Sequence, residues 1–429
     1  MSAGDTIIAL SSGSLPSGVA IIRISGQLTR TLLEAFAGGP PRPRHASLRT
    51  IGRNNAIDEG LVLFFPGPRS FTGEDCAELQ VHGSRAVIRA LLSALAAEPG
   101  VRLADAGEFT RRAFLNGKLD LVQVEGLSDL LAAETEAQRR QAGERLAGGL
   151  TRDIALWRET LIELRVELEA HLDFSDEGDV GTNLPPHLAT GIAELAKTLE
   201  HAAARYEGGR IVREGFRVAL AGPPNAGKSS LLNALARSDV AIVTSEAGTT
   251  RDIKEVPVEL GGQLCLFVDM AGLRDTDSLA EAEGVRRARM ELDRADLVLW
   301  LEPPDQAPIA PPETRAPMIV IPTKGDLPGA DAAAISVQTG QGLDDLMTAI
   351  RKAAELAIGE GSLLVSHERD RQALLHAAGA LRNAGERLHL PELAAEELRR
   401  TTHSLETLLG RVDAEMILDR LFAGFCIGK

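Results

Sequence analysis

The run Gly222-Pro223-Pro224-Asn225-Ala226-Gly227-Lys228-Ser229-Ser230 constrains this chain more than any other stretch. It has the form G-x-x-x-x-G-K-[ST]. The glycines let the backbone wrap close to a phosphate, and the amides and a helix N-terminus then point positive dipole at it. The apolar run at 216–220 reads as a buried strand and residues 230–236 as a helix start, which is the context this motif needs. Lys228 is placed to neutralise β- and γ-phosphates, and Ser229 to ligate Mg²⁺. The competing reading is a chance match in a glycine-rich chain, and the residues downstream of the loop weigh against it.

Four further signals come in the order a guanine-nucleotide domain requires. Gly248-Thr249-Thr250-Arg251-Asp252 sits in a polar segment before a strand, where a threonine can put its hydroxyl on Mg²⁺ and its amide on the γ-phosphate. Leu264 to Asp269 is a strand ending in an acid, followed by Met270-Ala271-Gly272. Asp269 fits a Mg²⁺-holding role and Gly272 an amide contact to the γ-phosphate. After a strand at 317–321 comes Thr323-Lys324-Gly325-Asp326. A carboxylate there can accept the N1–H and N2 protons of guanine, and adenine offers neither in that arrangement. Residues 335–340, with Ser336 and Val337, read as a strand end and turn against the base edge. The series resembles the translation-factor-like GTPases, whose base motif is [NT]-K-x-D. Thr323 replaces the commoner asparagine, and its shorter side chain predicts a weaker bridge to the phosphate loop. Leu273 stands where many GTPases carry a water-orienting glutamine, and leucine cannot polarise water. The nearby acids are Asp275, Asp277, Glu281 and Glu283.

With 429 residues, two or three domains are expected. Strand-like runs at 6–10, 19–25, 61–65 and 76–81, helices at 28–37 and 84–97, and a basic proline-rich loop at 40–53 predict an α+β domain over 1–118. Helical spacing dominates 119–214, with Leu121, Val124, Leu127 and Leu131 on one face and Trp157, Leu161, Leu164 and Leu168 on another. Strand and helix alternate over 215–365, and helix returns over 366–429. An α/β domain inserted into a helical one is the simplest account. Net charge is −15, which argues against a protein that coats nucleic acid. Residues 1–118, with 13 Lys+Arg and 10 Asp+Glu, net 13 − 10 = +3, are the part least hostile to a polyanion. Cys76, Cys265 and Cys426 suggest neither a disulfide framework nor a zinc site. Cys76 and Cys265 lie on apolar strands and are expected in cores. No basic leader and no run of 18 apolar residues is present, so a soluble, cytoplasmic chain is expected.

The flanking regions carry a second resemblance. Ser70-Phe71-Thr72-Gly73-Glu74-Asp75, Glu78-Leu79-Gln80-Val81-His82-Gly83, the block from Gly107 to Leu121 and the terminal Phe425-Cys426-Ile427-Gly428-Lys429 closely resemble blocks of the MnmE/TrmE family of tRNA-modification GTPases. That resemblance implies a multidomain α/β and α fold. Its parts would be an N-terminal α+β tetrahydrofolate-binding and dimerisation domain, a discontinuous helical domain and an inserted Ras-like P-loop GTPase domain. It implies GTP as substrate, Mg²⁺ and K⁺, and a 5,10-methylene or 5-formyl tetrahydrofolate. It also implies a homodimer and an FAD-dependent MnmG/GidA-type partner. Together these would place an aminomethyl-type group, such as carboxymethylaminomethyl, at C5 of the wobble uridine of tRNA. K⁺-dependent dimerisation of the GTPase domains would drive hydrolysis, with the cation replacing an arginine finger.

Carried onto this chain, the folate contacts fall on Arg23, Glu78, Lys118 and Lys429. The nucleotide contacts fall on Asn225, Ala226, Gly227, Lys228, Ser229 and Ser230, then on Thr244, Ser245, Glu246, Ala247, Gly248, Thr249 and Thr250. They continue through Asp269, Met270, Ala271, Gly272, Thr323, Lys324, Asp326, Ser336 and Val337. Mg²⁺ would take Ser229 and Thr250, and K⁺ would take Asn225, Thr244, Glu246 and Thr249. Lys228 and Glu281 are the catalytic candidates, with Glu283 the alternative to Glu281. Cys426 is open between a nucleophile and a small buried residue of the tail. Met270 replaces the family's usual threonine, and its backbone contacts are expected to persist. A regulatory RNA- or ribosome-associated GTPase is one competing function, although a pure switch has no use for the folate-like blocks or the terminal motif. A folate-sensing scaffold whose chemistry resides in its partner is another and stays open, since no redox cofactor motif is present.

Overall fold

The structure, a computed structural model, describes residues 4–173, 184–238, 241–242, 255–270, 289–412, 421–422, 424–425 and 428. The chain forms two units, Met1–Ser128 with Glu406–Lys429, and Asp129–Leu405.

The first unit is built on a six-stranded sheet. Its strands are β1 (Thr6–Leu10), β2 (Ser17–Ser25), β3 (Ser47–Ile51), β4 (Asp58–Phe65), β5 (Cys76–Gly83) and β6 (Val101–Leu103), in the order β3-β4-β5-β2-β1-β6. All pairs are antiparallel except β1 with β6. Side chains alternate across such a sheet. Ala20, Ile22 and Ile24 of β2 and Val62 and Phe64 of β4 therefore turn inward, beneath α1 (Thr29–Ala37) and α2 (Arg85–Ala96). The same alternation puts Arg23 on the other face, and the register sets it directly opposite Glu78 of β5. The helix α3 (Glu108–Leu115) follows β6. Leu121 and Val124 of α4 (Leu121–Ala132) pack with Phe422 and Phe425. Leu131, expected on that apolar stripe, is instead exposed, because the burying contacts are made by the first turns of the helix.

Two strands were not legible. β3 lies inside the segment read as a basic loop. It is an edge strand with only Ile51 buried, so its polar run carries no alternation to read. β6 is three residues long and gains its place only by pairing with β1.

The second unit contains α5 (Glu136–Leu146), α6 (Gly149–Asp173), α7 (Pro186–Ala204) and α8 (Tyr206–Glu214) before a five-stranded sheet. α6 buries Leu161, Leu164 and Leu168 of its apolar stripe and half-buries Trp157. The sheet strands are β7 (Phe216–Ala221), β8 (Glu255–Leu260), β9 (Gln263–Asp269), β10 (Leu297–Glu302) and β11 (Met318–Pro322), ordered β11-β10-β7-β9-β8. All are parallel neighbours except the β8–β9 hairpin. Near-continuous apolar runs in β7 and β10 fit strands covered on both faces. The helices α9 (Lys228–Ala236) and α10 (Leu343–Ile358) bury Leu231, Leu232 and Ile350 against this sheet. α11 (Glu368–Glu386) and α12 (Pro391–Leu408) follow, and α11 packs along α7.

The sheet joins the helices at a tight seam. Gly208 and Gly209 of α8 lie against the carbonyls of Ile358 and Val365, and a methyl at either would overlap them. Gln141 of α5 donates to Gly209 O at 2.9 Å and Leu363 O at 2.7 Å. Arg145, fully buried, donates to the Leu364 carbonyl and, at 2.8 Å, to Asp370 of α11.

Candidate nucleotide site and N-terminal cavity

The phosphate-binding loop leaves the carboxyl end of β7, the central strand, and enters α9. Gly222, at φ 142°, has room for no side chain, because a Cβ would sit 2.6 Å from Leu301 O. Asn225 holds φ 60°, and Gly227, at φ 101°, caps α9. Left-handed positions such as these are the backbone conformations from which anion-binding nests are built. The Lys228 ammonium donates to Gly222 O at 2.9 Å and Pro223 O at 2.8 Å, so it is held across the loop. Ser229 Oγ donates to Asp269 Oδ2 at 2.7 Å. The register of β7 on β9, with Leu220 opposite Asp269, sets that pair. A hydroxyl and a carboxylate side by side are the hard oxygen donors that Mg²⁺ takes.

The base-reading segment is tied to the same loop. Thr323 is buried, and its Oγ1 donates to Ala226 O at 2.9 Å. The bridge expected here is thus made despite the shorter side chain, because the end of β11 comes close enough for the hydroxyl to reach. Ser336 Oγ donates to Asp326 Oδ1 at 2.7 Å, which fixes the carboxylate's rotation and leaves Oδ2 to a further donor. Gly325 N donates to Ile335 O at 3.0 Å, and a Cβ at Gly325 would meet Ala334 O at 2.6 Å. Lys324, at φ 56°, pairs with Asp305 at 2.6 Å. Residues 335–340 form a turn rather than a strand end. Ile335 N bonds Pro322 O and Gly340 N bonds Ser336 O, and no ladder extends from them. Val337 packs on the sheet core, and Ser230 is exposed on α9. Met270 packs with Ala219, Ala221, Val298 and Trp300, so its side chain serves the core.

Thr244, Ser245, Glu246, Ala247, Gly248, Thr249, Thr250, Ala271, Gly272, Leu273, Glu281, Glu283, Cys426 and Lys429 lie outside the described residues.

In the first unit, Arg23 and Glu78 line a cavity of about 410 Å³. Arg23 places Nε at 3.3 Å and Nη2 at 3.0 Å from Glu78 Oε1, and Nη1 at 3.4 Å from Gly428 O. Its guanidinium lies 5.9 Å from the Phe71 ring and 5.8 Å from the Phe109 ring. Lys118 is not among the lining residues. Its ammonium donates to Pro68 O at 3.0 Å on the exposed side of the same region. Cys76 is buried in the cavity wall, and burial pushes the core thiol of Cys265 up to about 12, away from any reactive thiolate. Behind the wall, Ser25 joins Thr72 at 2.7 Å and Glu74 at 2.6 Å, and Arg112 bridges Glu74 and Glu108. Burial raises the Glu108 carboxyl. The hydrogen bonds from Arg102, the Asp105 amide and Arg112 outweigh that and hold it below its ordinary value. Sequence reasoning missed Arg44, Arg69 and Thr110 as cavity residues; being polar inside a motif block does not tell which way a side chain turns.

Residues 6–118 match the family model described as GTP-binding protein TrmE N-terminus, and residues 121–426 that of the MnmE helical domain. The tRNA modification GTPase MnmE of Azorhizobium caulinodans is 50% identical over 434 residues, covering 99% of each chain. That of Rhizobium meliloti is 49% identical over 437 residues, again covering 99% of each. Among solved structures, the G domain of the T. maritima FeoB iron transporter is 27% identical, over 32% of this chain and 98% of its own. Its TM-score of 0.24 is too low to carry weight.

Proposed function

This chain belongs to the MnmE/TrmE family of tRNA modification GTPases, and from that we propose that it couples GTP hydrolysis to a change at C5 of the tRNA wobble uridine. The observation that carries this is end-to-end similarity, at 50% identity over 99% of both chains, in a chain whose phosphate loop is clasped to its base-reading segment.

In this reading the amides of the 222–228 loop and the Lys228 ammonium bind the β- and γ-phosphates. Asp326, held by Ser336, accepts from guanine N1–H and N2, so the site selects GTP over ATP. Mg²⁺ would be held by Ser229 and Thr250, with Asp269 behind, and supplies charge neutralisation on the phosphate oxygens. K⁺ would be held by Asn225 with oxygens of Thr244, Glu246 and Thr249, and supplies the positive charge that an arginine finger supplies elsewhere. Leucine at 273 leaves water orientation to Glu281, with Glu283 the alternative. Thr244 to Thr250, Ala271 and Gly272 complete the switch contacts.

The cavity residues suit a folate. The Glu78 carboxylate is an acceptor for pterin N–H groups, and the arginines are donors to carboxylates. Arg23, Glu78, Lys118 and Lys429 would hold a tetrahydrofolate, which supplies a one-carbon unit. Cys426 is assigned to that same end of the chain. We further propose a homodimer, an FAD-dependent MnmG/GidA-type partner and a cytoplasmic setting. Among the described residues no helix is long and apolar enough to cross a membrane.

One experiment has two readouts. By mass spectrometry, tRNA from a deletion strain should lack the C5 substituent and regain it with the wild-type gene; unchanged tRNA would favour a purely regulatory GTPase. The purified chain should hydrolyse GTP markedly faster in KCl than in NaCl at equal ionic strength, and equal rates would remove the cation from the scheme.

A further inference from the structure

The N-terminal cavity is polarised. Its inner wall includes the buried side chains of Ser70, Cys76 and Thr110, and its rim the exposed Arg44, Arg69 and Phe71. Ser70 Oγ is satisfied by the Glu74 carbonyl. Thr110 is different. It is 0% exposed, it lines the cavity, and among the described residues its hydroxyl has no hydrogen-bond partner. Threonines inside helices usually satisfy the hydroxyl on the carbonyl four residues back. Thr110 is the third residue of α3, and position 106 precedes the Gly107 cap, so no helical carbonyl stands behind it. A buried hydroxyl left unpaired is costly, and none of the described residues supplies this one with a partner.

Glu78, also in the lining, has an open acceptor. Both Arg23 contacts fall on Glu78 Oε1, and among the described residues Oε2 accepts no hydrogen bond. The cavity therefore presents one carboxylate oxygen and one hydroxyl, with the exposed Phe71 ring beside them. A carboxylate oxygen takes amino and ring N–H groups, and a hydroxyl can donate to a ring carbonyl. A pterin carries these groups on one edge. At the rim, Arg44 holds a left-handed backbone, φ 63°, a conformation that costs a long side chain such as arginine's more than it costs glycine or asparagine. Its guanidinium donates to the Arg69 carbonyl, which ties the two residues together. Neither guanidinium is paired with a carboxylate among the described residues.

Taking the folate reading above as given, we propose that the ligand lies with its pterin edge on Thr110 and Glu78 and its glutamate tail across Arg44 and Arg69. Thr110 thereby reads the ring carbonyl, and the two arginines set a preference for ligands with more tail carboxylates.

The test is calorimetric titration of the full-length chain with 5-formyltetrahydrofolate, as the monoglutamate and the triglutamate. Thr110→Val should weaken the monoglutamate about ten-fold, the worth of one hydrogen bond from a buried group. Thr110→Ser should keep wild-type affinity, and thermal melts followed by circular dichroism report whether each variant is folded. Wild type should prefer the triglutamate, and the Arg44→Ala/Arg69→Ala double variant should lose that preference. Wild-type affinity in Thr110→Val, or an undiminished triglutamate preference in the double variant, overturns the proposed orientation while the folate reading stands. A wild-type chain that binds neither ligand overturns both.

Discussion

Thr323 is shorter than the asparagine usual at its position, yet it spans the distance from β11 to the phosphate loop with a buried 2.9 Å bond to Ala226 O. Thr323→Val keeps the shape and removes the donor, leaving a buried carbonyl unpaired. The cost of such a loss is about 1–3 kcal/mol. The variant should therefore bind GDP roughly 5- to 150-fold more weakly by titration, and unchanged affinity would show the bridge to be incidental. At this scale the sequence is a good guide where function is local. The loop from Gly222 to Ser229 needs a fixed run of residue types, and those can be read directly. It is a poor guide where function depends on who sits opposite. Arg23 meets Glu78 through strand register, and Thr110 loses its acceptor because its helix begins only at Glu108, after position 106.

Among the elements, α8 is pressed against neighbouring backbone at two adjacent glycines. Glycine weakens a helix interior by roughly 0.5–1 kcal/mol against alanine, so Gly208-Gly209 is locally unfavourable. The seam explains it: the carbonyls of Ile358 and Val365 occupy the space a side chain would take. Gly208→Ala should lower the unfolding midpoint rather than raise it, by overpacking worth about 1–3 kcal/mol. A denaturant titration in which this variant gained stability would refute the seam. The pattern switch at 215 and the return to helix from about 366 were legible, because hydrophobic periodicity changes from one spacing to the other. β3 was not, because an exposed edge strand owes its conformation to β4 rather than to its own residues.

At the scale of the whole molecule, the interior ion pair Arg145–Asp370 links α5 to α11 across the intervening sheet domain, with both side chains 0% exposed. Burial alone would raise the Asp370 carboxyl. The charges of Arg145, Arg369 and His367 and the Arg145 hydrogen bond outweigh it and hold the group below its ordinary value. A carboxylate depressed in the folded state contributes stability in full above its unfolded value, about 3.9, and loses it as pH falls through the folded value. Asp370→Ala strands the arginine charge, at a cost of about 3–5 kcal/mol near neutrality. The gap between wild type and variant, read from unfolding midpoints, should stay constant down to about pH 4 and close in stronger acid. A gap that widened in acid would reverse the assigned sign. The bond between Ser11 and Gly428 sets a timetable of its own. The two residues stand 417 positions apart, and Gly428 also meets Arg23. At roughly 5–20 residues per second, the ribosome delivers the second partner about 20–80 s after the first. Arg23 thus waits for one of its contacts until the helical and nucleotide-binding segments that lie between the two residues have been made.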